Sequence, residues 1–116
     1  MYESKIQELI VSKGIDYCII SYLDNNGIKF LGEMSNLKEK DLPKQLFGDL
    51  DTITNLNNSL IGQEMPVTWK QGEVKGIVCK PKADVIIGLF YNEYRSLFDS
   101  IDFCNEITLE LLKIFK

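Results

Sequence analysis

Apolar and polar positions alternate along the chain in two periods, which separate helical from extended segments. Near the N-terminus apolar residues recur at helical spacing as far as Ile10, and Gly14 follows, which predicts a short amphipathic helix ending there. The next two runs, at about 16–23 and 27–33, are rich in residues that favour strands. They flank Asn25-Asn26-Gly27, whose residues tolerate the positive φ of tight turns. This pattern predicts a β-hairpin.

A long apolar stripe follows the polar segment MSNLKEKD. Its members recur at intervals of three and four: Leu42, Leu46, Leu50, Ile53, Leu56 and Leu60. This spacing predicts one helix over about 42–60, with Pro43 in its first turn and Gly62 after its end.

Three extended runs come next, EMPVTWKQ, EVKGIVCKP and DVIIGLFY, joined by short turn sequences. Pro66 cannot donate a ladder hydrogen bond, so the first of these strands starts there or lies at a sheet edge. From about 93 to 115 a second long amphipathic helix is predicted. Its apolar stripe comprises Leu97, Phe98, Ile101, Cys104, Ile107, Leu111, Leu112 and Phe115.

The segment from Val85 to Tyr91 is apolar at both sets of alternating positions. In a strand, Val85, Ile87, Leu89 and Tyr91 would line one face, with Ile86 and Phe90 on the other. Both faces of such a strand must therefore be covered. The element order α-β-β-α-β-β-β-α predicts an α+β fold of three layers, α/β/α. A five-stranded antiparallel sheet would lie between the central helix and the two terminal helices. We expect a single domain over residues 1–116, because no linker or repeat interrupts the chain.

Chemistry-bearing motifs are scarce. The chain has no histidine, which removes the commonest general base, and it contains no phosphate-binding glycine loop. The three cysteines lie far apart in apolar surroundings, without the spacing of a zinc site. We therefore expect buried free thiols, a non-enzyme, and no cofactor or metal. No apolar run approaches the length of a membrane span, and the N-terminal segment does not resemble a secretory signal, so a cytoplasmic location is expected.

Charge bears on the choice of partner. The net charge of −4 disfavours nucleic-acid binding, which needs a basic surface. Two local clusters are candidate partner-binding sites. One is basic and includes Lys70 and Lys75; the other is an acidic stripe on the last helix that includes Asp99, Asp102 and Glu106. Either cluster could equally be a solvated surface.

The order of elements resembles the roadblock/LC7 family of profilin-like proteins. The resemblance covers nearly the whole chain and is most specific in NNSLIGQ, VTWKQGEVKGIVCKP, ADVIIGLFY and the long last helix. The central helix departs from the family pattern, because Leu, Ile and Asn replace its small residues. Longin and profilin folds have related element orders.

This resemblance implies a non-catalytic homodimer paired across the central helix and the neighbouring strand. It also implies an adaptor or regulator of a small Ras-like GTPase, or a light chain of a motor-type complex. The implied dimer-interface positions are Leu46, Leu50, Ile53, Asn57 and Trp69.

Two further functions are compatible with the sequence. A small acidic immunity or inhibitor protein would bind and block a basic toxin or enzyme, and its association would depend on salt. A sensor domain would hold a small molecule between sheet and helix.

Overall fold

The computed structural model of the protein describes residues 2–115. The chain forms four α-helices, α1 (Tyr2–Lys13), α2 (Asp41–Phe47), α3 (Leu50–Ser59) and α4 (Leu97–Ile114), and a short 3-10 turn at Met34–Asn36. The strands are β1 (Tyr17–Tyr22), β2 (Gly27–Gly32), β3 (Val67–Gln71), β4 (Val74–Lys82) and β5 (Val85–Asn92). The first and last residues of the predicted 1–116 domain lie outside the described range.

The five strands form one antiparallel sheet in the order β2-β1-β5-β4-β3. Strand β5 lies at the centre and is buried along its whole length. Its odd-numbered residues from Val85 to Tyr91 contact α1 and α4, while Ile86 and Phe90 contact the layer formed by α2 and α3. The structure confirms the predicted sheet, its three layers and the two-sided burial of this strand.

The hairpin turns follow the local sequence. Asn26 has φ 56°, as predicted for the first turn. Gly72 has φ 58° at the first of two turn positions, which is the type II′ arrangement, and it joins β3 to β4. Strand β3 begins directly after Pro66 and pairs only with β4, so the edge position suggested by the proline is confirmed.

Two apolar cores lie on opposite faces of the sheet. The first is formed by α1 and α4 against the sheet and includes Ile6, Ile10, Ile107 and Leu111. The second lies beneath α2 and α3 and includes Leu42, Phe47, Ile53 and Leu56. This division explains why so short a chain contains a strand that is apolar on both faces.

The central helix was predicted as one element over 42–60, and this was wrong. The helix ends at Phe47 and restarts at Leu50. Asp49 has extended backbone angles, and its side-chain oxygen Oδ1 accepts a hydrogen bond from the Thr52 N–H at 2.7 Å. Asp is a preferred N-cap because its short side chain satisfies the first unpaired N–H groups of a helix. The helical spacing of apolar residues continues through the break, because α2 and α3 both pack on the same face of the sheet.

Candidate interaction surfaces

The outer edge of β3 adjoins one side of α2 and α3. Trp69 is half-buried here and lines an open pocket of about 410 Å³. The helices contribute the rest of its lining, namely Gln45, Leu46, Thr52, Asn55, Leu56 and Ser59. The pocket therefore combines hydroxyl and amide groups with one large aromatic side chain, a residue type enriched among interface hot spots.

The backbone of β3 is open along this edge. The two-residue turn after Gln71 makes Gln71 and Val74 a hydrogen-bonded pair, and such pairs alternate along an antiparallel ladder. Trp69 and Val67 therefore direct their backbone groups towards β4, whereas Thr68 and Lys70 direct theirs outwards. These outward N–H and C=O groups can pair with a further strand.

The five predicted interface positions lie in different surroundings. Leu46 and Ile53 are buried in the second core, so little of either side chain is available to a partner. Leu50 is exposed, and Asn57 is half-buried and accepts a hydrogen bond from Lys80 Nζ at 2.7 Å. Only Leu46 and Trp69 share the β3-side pocket.

Leu50, Ile53 and Asn57 instead line a smaller pocket on the opposite side of α3, next to Tyr22 and Asn26. The helical spacing of 50, 53 and 57 indicates one shared side, but spacing alone does not say which strand that side approaches. Beyond Leu50, β2 exposes Ile28 and Phe30 at the other edge of the sheet. The sequence did not single out those two residues.

The predicted partner-binding residues are also divided. Lys70 is exposed on β3, but Lys75 donates a hydrogen bond to Ser100 Oγ at 2.9 Å. Asp99 and Asp102 are exposed on α4, and Glu106 pairs with Lys13 of α1. Glu106 and Lys75 thus have partners within the chain, which leaves Lys70, Asp99 and Asp102 as the more accessible members.

Lys75 belongs to a polar network at the start of α4. The Glu93 side chain accepts hydrogen bonds from the Arg95 N–H at 2.9 Å and from Ser100 Oγ at 3.1 Å. Burial acts to raise the pKa of Glu93, but these hydrogen bonds and the Arg95 guanidinium outweigh it and hold the pKa below its ordinary value. The network holds the first turn of α4 against β4 and the end of β5.

Part of the predicted apolar stripe of α4 lies on the surface. Leu97, Phe98, Ile101 and Leu112 belong to that stripe, yet all four are exposed. Leu109 is exposed beside them. The buried side of α4 instead comprises Ser100, Cys104, Ile107, Thr108 and Leu111. The apolar residues of α4 span a wider arc of the helix than one contact with the core requires. This wide arc was the feature of the sequence that could have indicated an exposed apolar surface.

The three cysteines are free and buried, as predicted. Burial raises the pKa of the Cys79 thiol to about 12 and raises that of Cys18 further. A thiol held neutral in this way is a poor nucleophile. Within residues 2–115, no group of three or more His, Cys, Asp or Glu side chains could hold a metal ion. No helix of this part of the chain is long and apolar enough to cross a bilayer.

Comparisons with known proteins give a structural match. Neither a scan against protein-family models nor a search of curated proteins finds a match. Among solved structures, the chain is similar to Myxococcus xanthus MglB, with a TM-score of 0.59 and 14% sequence identity. The match covers 98% of this chain and 94% of that one. The protein therefore has the α+β, roadblock/LC7-like fold of MglB.

Proposed function

We propose that the protein is a non-catalytic, dimeric adaptor or regulator of the roadblock type, acting on a small Ras-like GTPase in the cytoplasm. The fold shared with MglB over nearly the whole chain carries this proposal. The family resemblance of the sequence implies the same function. The neutral, buried thiols and the absence of histidine agree with a protein that acts through contacts with other proteins.

We propose a dimer interface made by the open edge of β3 and the adjoining side of α2 and α3. Antiparallel pairing of two β3 edges would join two five-stranded sheets into one. Trp69 would be its central anchor, because large aromatic residues in partly formed pockets are enriched among interface hot spots. Asn55 and Ser59, which line the same pocket, would contribute polar contacts around it.

The proposed interface differs from the set implied by the sequence. Leu46 and Trp69 stay within it, whereas Ile53 lines the pocket on the other side of α3. Leu50 and Asn57 lie on the other side of α3, so we do not assign them a direct contact. A charge placed at Leu50 should therefore leave the dimer intact, whereas a charge placed at Ser59 should weaken it.

The first experiment is light scattering coupled to size exclusion. We expect the protein to have a molar mass in solution of twice the 13.3 kDa chain mass. Thr68→Pro removes an outward N–H and should yield a folded monomer, since edge strands tolerate proline where the N–H faces solvent. Thr68→Ala keeps the N–H and is the matched control. Ser59→Arg tests the helix side without altering the strand.

A wild-type monomer at all concentrations, with circular dichroism that matches the variants, would refute the dimer.

Regulation of a GTPase is tested separately. Small Ras-like GTPases loaded with GDP or with a non-hydrolysable GTP analogue are titrated with the protein, and single-turnover GTP hydrolysis is measured. A regulator should discriminate between the two nucleotide states or change the hydrolysis rate. Equal or undetectable binding with an unchanged rate would contradict that function.

A further inference from the structure

The exposed apolar side of α4 has an arrangement that fits a second copy of itself. We define the α4 strip by its members: Phe98, Ile101, Asn105, Leu109 and Leu112. Phe98 is 78% exposed and Leu109 is 62% exposed, although Ile107 and Leu111 of the same helix are completely buried. Single exposed apolar residues are ordinary, but a strip running from one end of a helix to the other marks an interaction surface.

The α4 strip is not the side of α4 that contacts α1. The Lys13–Glu106 pair and the mixed pocket lined by Leu9, Glu110 and Ile114 place α1 on the opposite flank. At about 100° per residue, the centre of the α4 strip lies roughly a third of a turn from the centre of the buried side, on the flank away from α1. It is therefore accessible beside the β3 half of the sheet.

The α4 strip is symmetric about Asn105. Phe98 and Leu112 lie seven residues to either side of it, and Ile101 and Leu109 lie four residues to either side. A two-fold axis through Asn105 and perpendicular to the helix therefore places Phe98 against Leu112 of a second copy. The same axis places Ile101 against Leu109 of that copy. A two-fold interface has to be self-complementary in this way, whereas a surface for an unrelated helix does not.

The central asparagine and the helix dipoles favour the same antiparallel arrangement. Antiparallel helices place the N-terminal end of each beside the C-terminal end of the other, so their opposed dipoles attract. Asn105 would meet its own copy on the axis, where a polar residue can fix register.

We propose that α4 pairs antiparallel with α4 of a second copy through the α4 strip, with Asn105 on the two-fold axis. This contact is additional to the β3 interface proposed above and uses different residues. The strip is about 20 Å long between Phe98 and Leu112 and one helix wide, which is smaller than a standard interface. Self-association through α4 alone is therefore concentration-dependent, and it strengthens when another contact already joins the chains.

Disulfide trapping tests the geometry directly. Packed helices lie about 8–10 Å apart with Cα atoms at a radius of about 2.3 Å, so residues on the axis have Cα atoms roughly 4–5 Å apart. This separation is close enough for a disulfide. Asn105→Cys should therefore form a covalent dimer under mild oxidation. Wild type, with its buried cysteines, and Gln7→Cys, an exposed position of α1, are the controls and should stay monomeric on a non-reducing gel.

The relative direction of the two paired α4 helices is tested with Phe98→Cys and Leu112→Cys. A mixture of these two variants should cross-link, and each variant alone should do so at least several-fold more slowly. If Phe98→Cys alone cross-links fastest, the helices are parallel and the proposal is wrong. If Asn105→Cys cross-links no faster than Gln7→Cys, the α4 strip does not meet its own copy, and another partner covers it.

The two proposed contacts fail independently. Ile101→Lys should abolish the Asn105→Cys cross-link while leaving any β3-dependent dimer unchanged by light scattering. Thr68→Pro should do the reverse, abolishing that dimer while a cross-link persists at high protein concentration. Loss of the cross-link in Thr68→Pro at every concentration would overturn an independent α4 contact. Thermal melts of each variant establish that the fold is retained.

Discussion

Gly88 should be intolerant of even one added methyl group, because α2 closes onto the sheet above it. A Cβ built at this position would lie 2.5 Å from Phe47 Cε2 and 3.0 Å from a Phe90 ring carbon. Ordinary carbon contacts are about 3.5–4.0 Å, so the Phe47 ring must move by roughly 1 Å. That ring also packs edge-on against Phe90, with centroids 6.2 Å apart and planes at 87°. The shift therefore disturbs two aromatic contacts in the second core.

Overpacking of this kind costs about 1–3 kcal/mol. The reduced freedom of the unfolded chain on replacing Gly by Ala offsets about 0.4–1 kcal/mol. Gly88→Ala should therefore lower the free energy of unfolding by about 1–2 kcal/mol. At about 4 °C per kcal/mol for a chain of this size, Tm should fall by about 4–8 °C. Urea denaturation followed by circular dichroism measures the first quantity, and a thermal melt measures the second.

A double-mutant cycle identifies the cause. Phe47→Leu removes the ring edge that the new methyl group meets, so Gly88→Ala should cost at least about 0.5 kcal/mol less in that background. If Gly88→Ala changes stability by less than about 0.5 kcal/mol, or if the two changes are additive, the close approach of α2 does not limit this position. Light scattering of the same variants would show whether repacking beneath α2 alters self-association.

Three further outcomes are expected. Asp49→Ala should reduce stability and helix content by removing the cap of α3, whereas Asp49→Asn retains an acceptor and should be milder; far-ultraviolet circular dichroism distinguishes them. Because the pKa of Glu93 is lowered in the folded chain, its contribution to stability is present above the unfolded-state pKa and is lost as pH falls through the folded value. Glu93→Gln should therefore flatten the acid limb of stability plotted against pH, and an unchanged limb would contradict this. A disulfide reagent that reacts with free thiols should modify the cysteines only as fast as the protein unfolds, because burial raises the pKa of Cys79 to about 12. Rapid modification of the native protein would show that the thiols are accessible.

The pattern of apolar residues was sufficient to predict the sheet and its layers. The unbroken apolar run from Val85 to Tyr91 required cover on both faces, and the helical periods supplied two layers to provide it. Turn residues such as Asn26 and Gly72 and the proline before β3 also determined the hairpins and one edge of the sheet, because these residues act locally through φ and through the missing N–H.

Which part of each helix is buried depends on packing between elements that are distant in the sequence. The apolar period of 42–60 predicted one helix because periodicity records burial and does not detect a capped break at Asp49. Leu50 belongs to the apolar stripe of the central helix as Ile53 does, and Phe98 and Leu112 belong to that of α4, yet of these four residues only Ile53 is buried. A period identifies the apolar side of a helix, but the position of the helix on the sheet determines which part of that side is buried. The apolar residues that stay exposed on α4 form one of the candidate interaction surfaces of this protein.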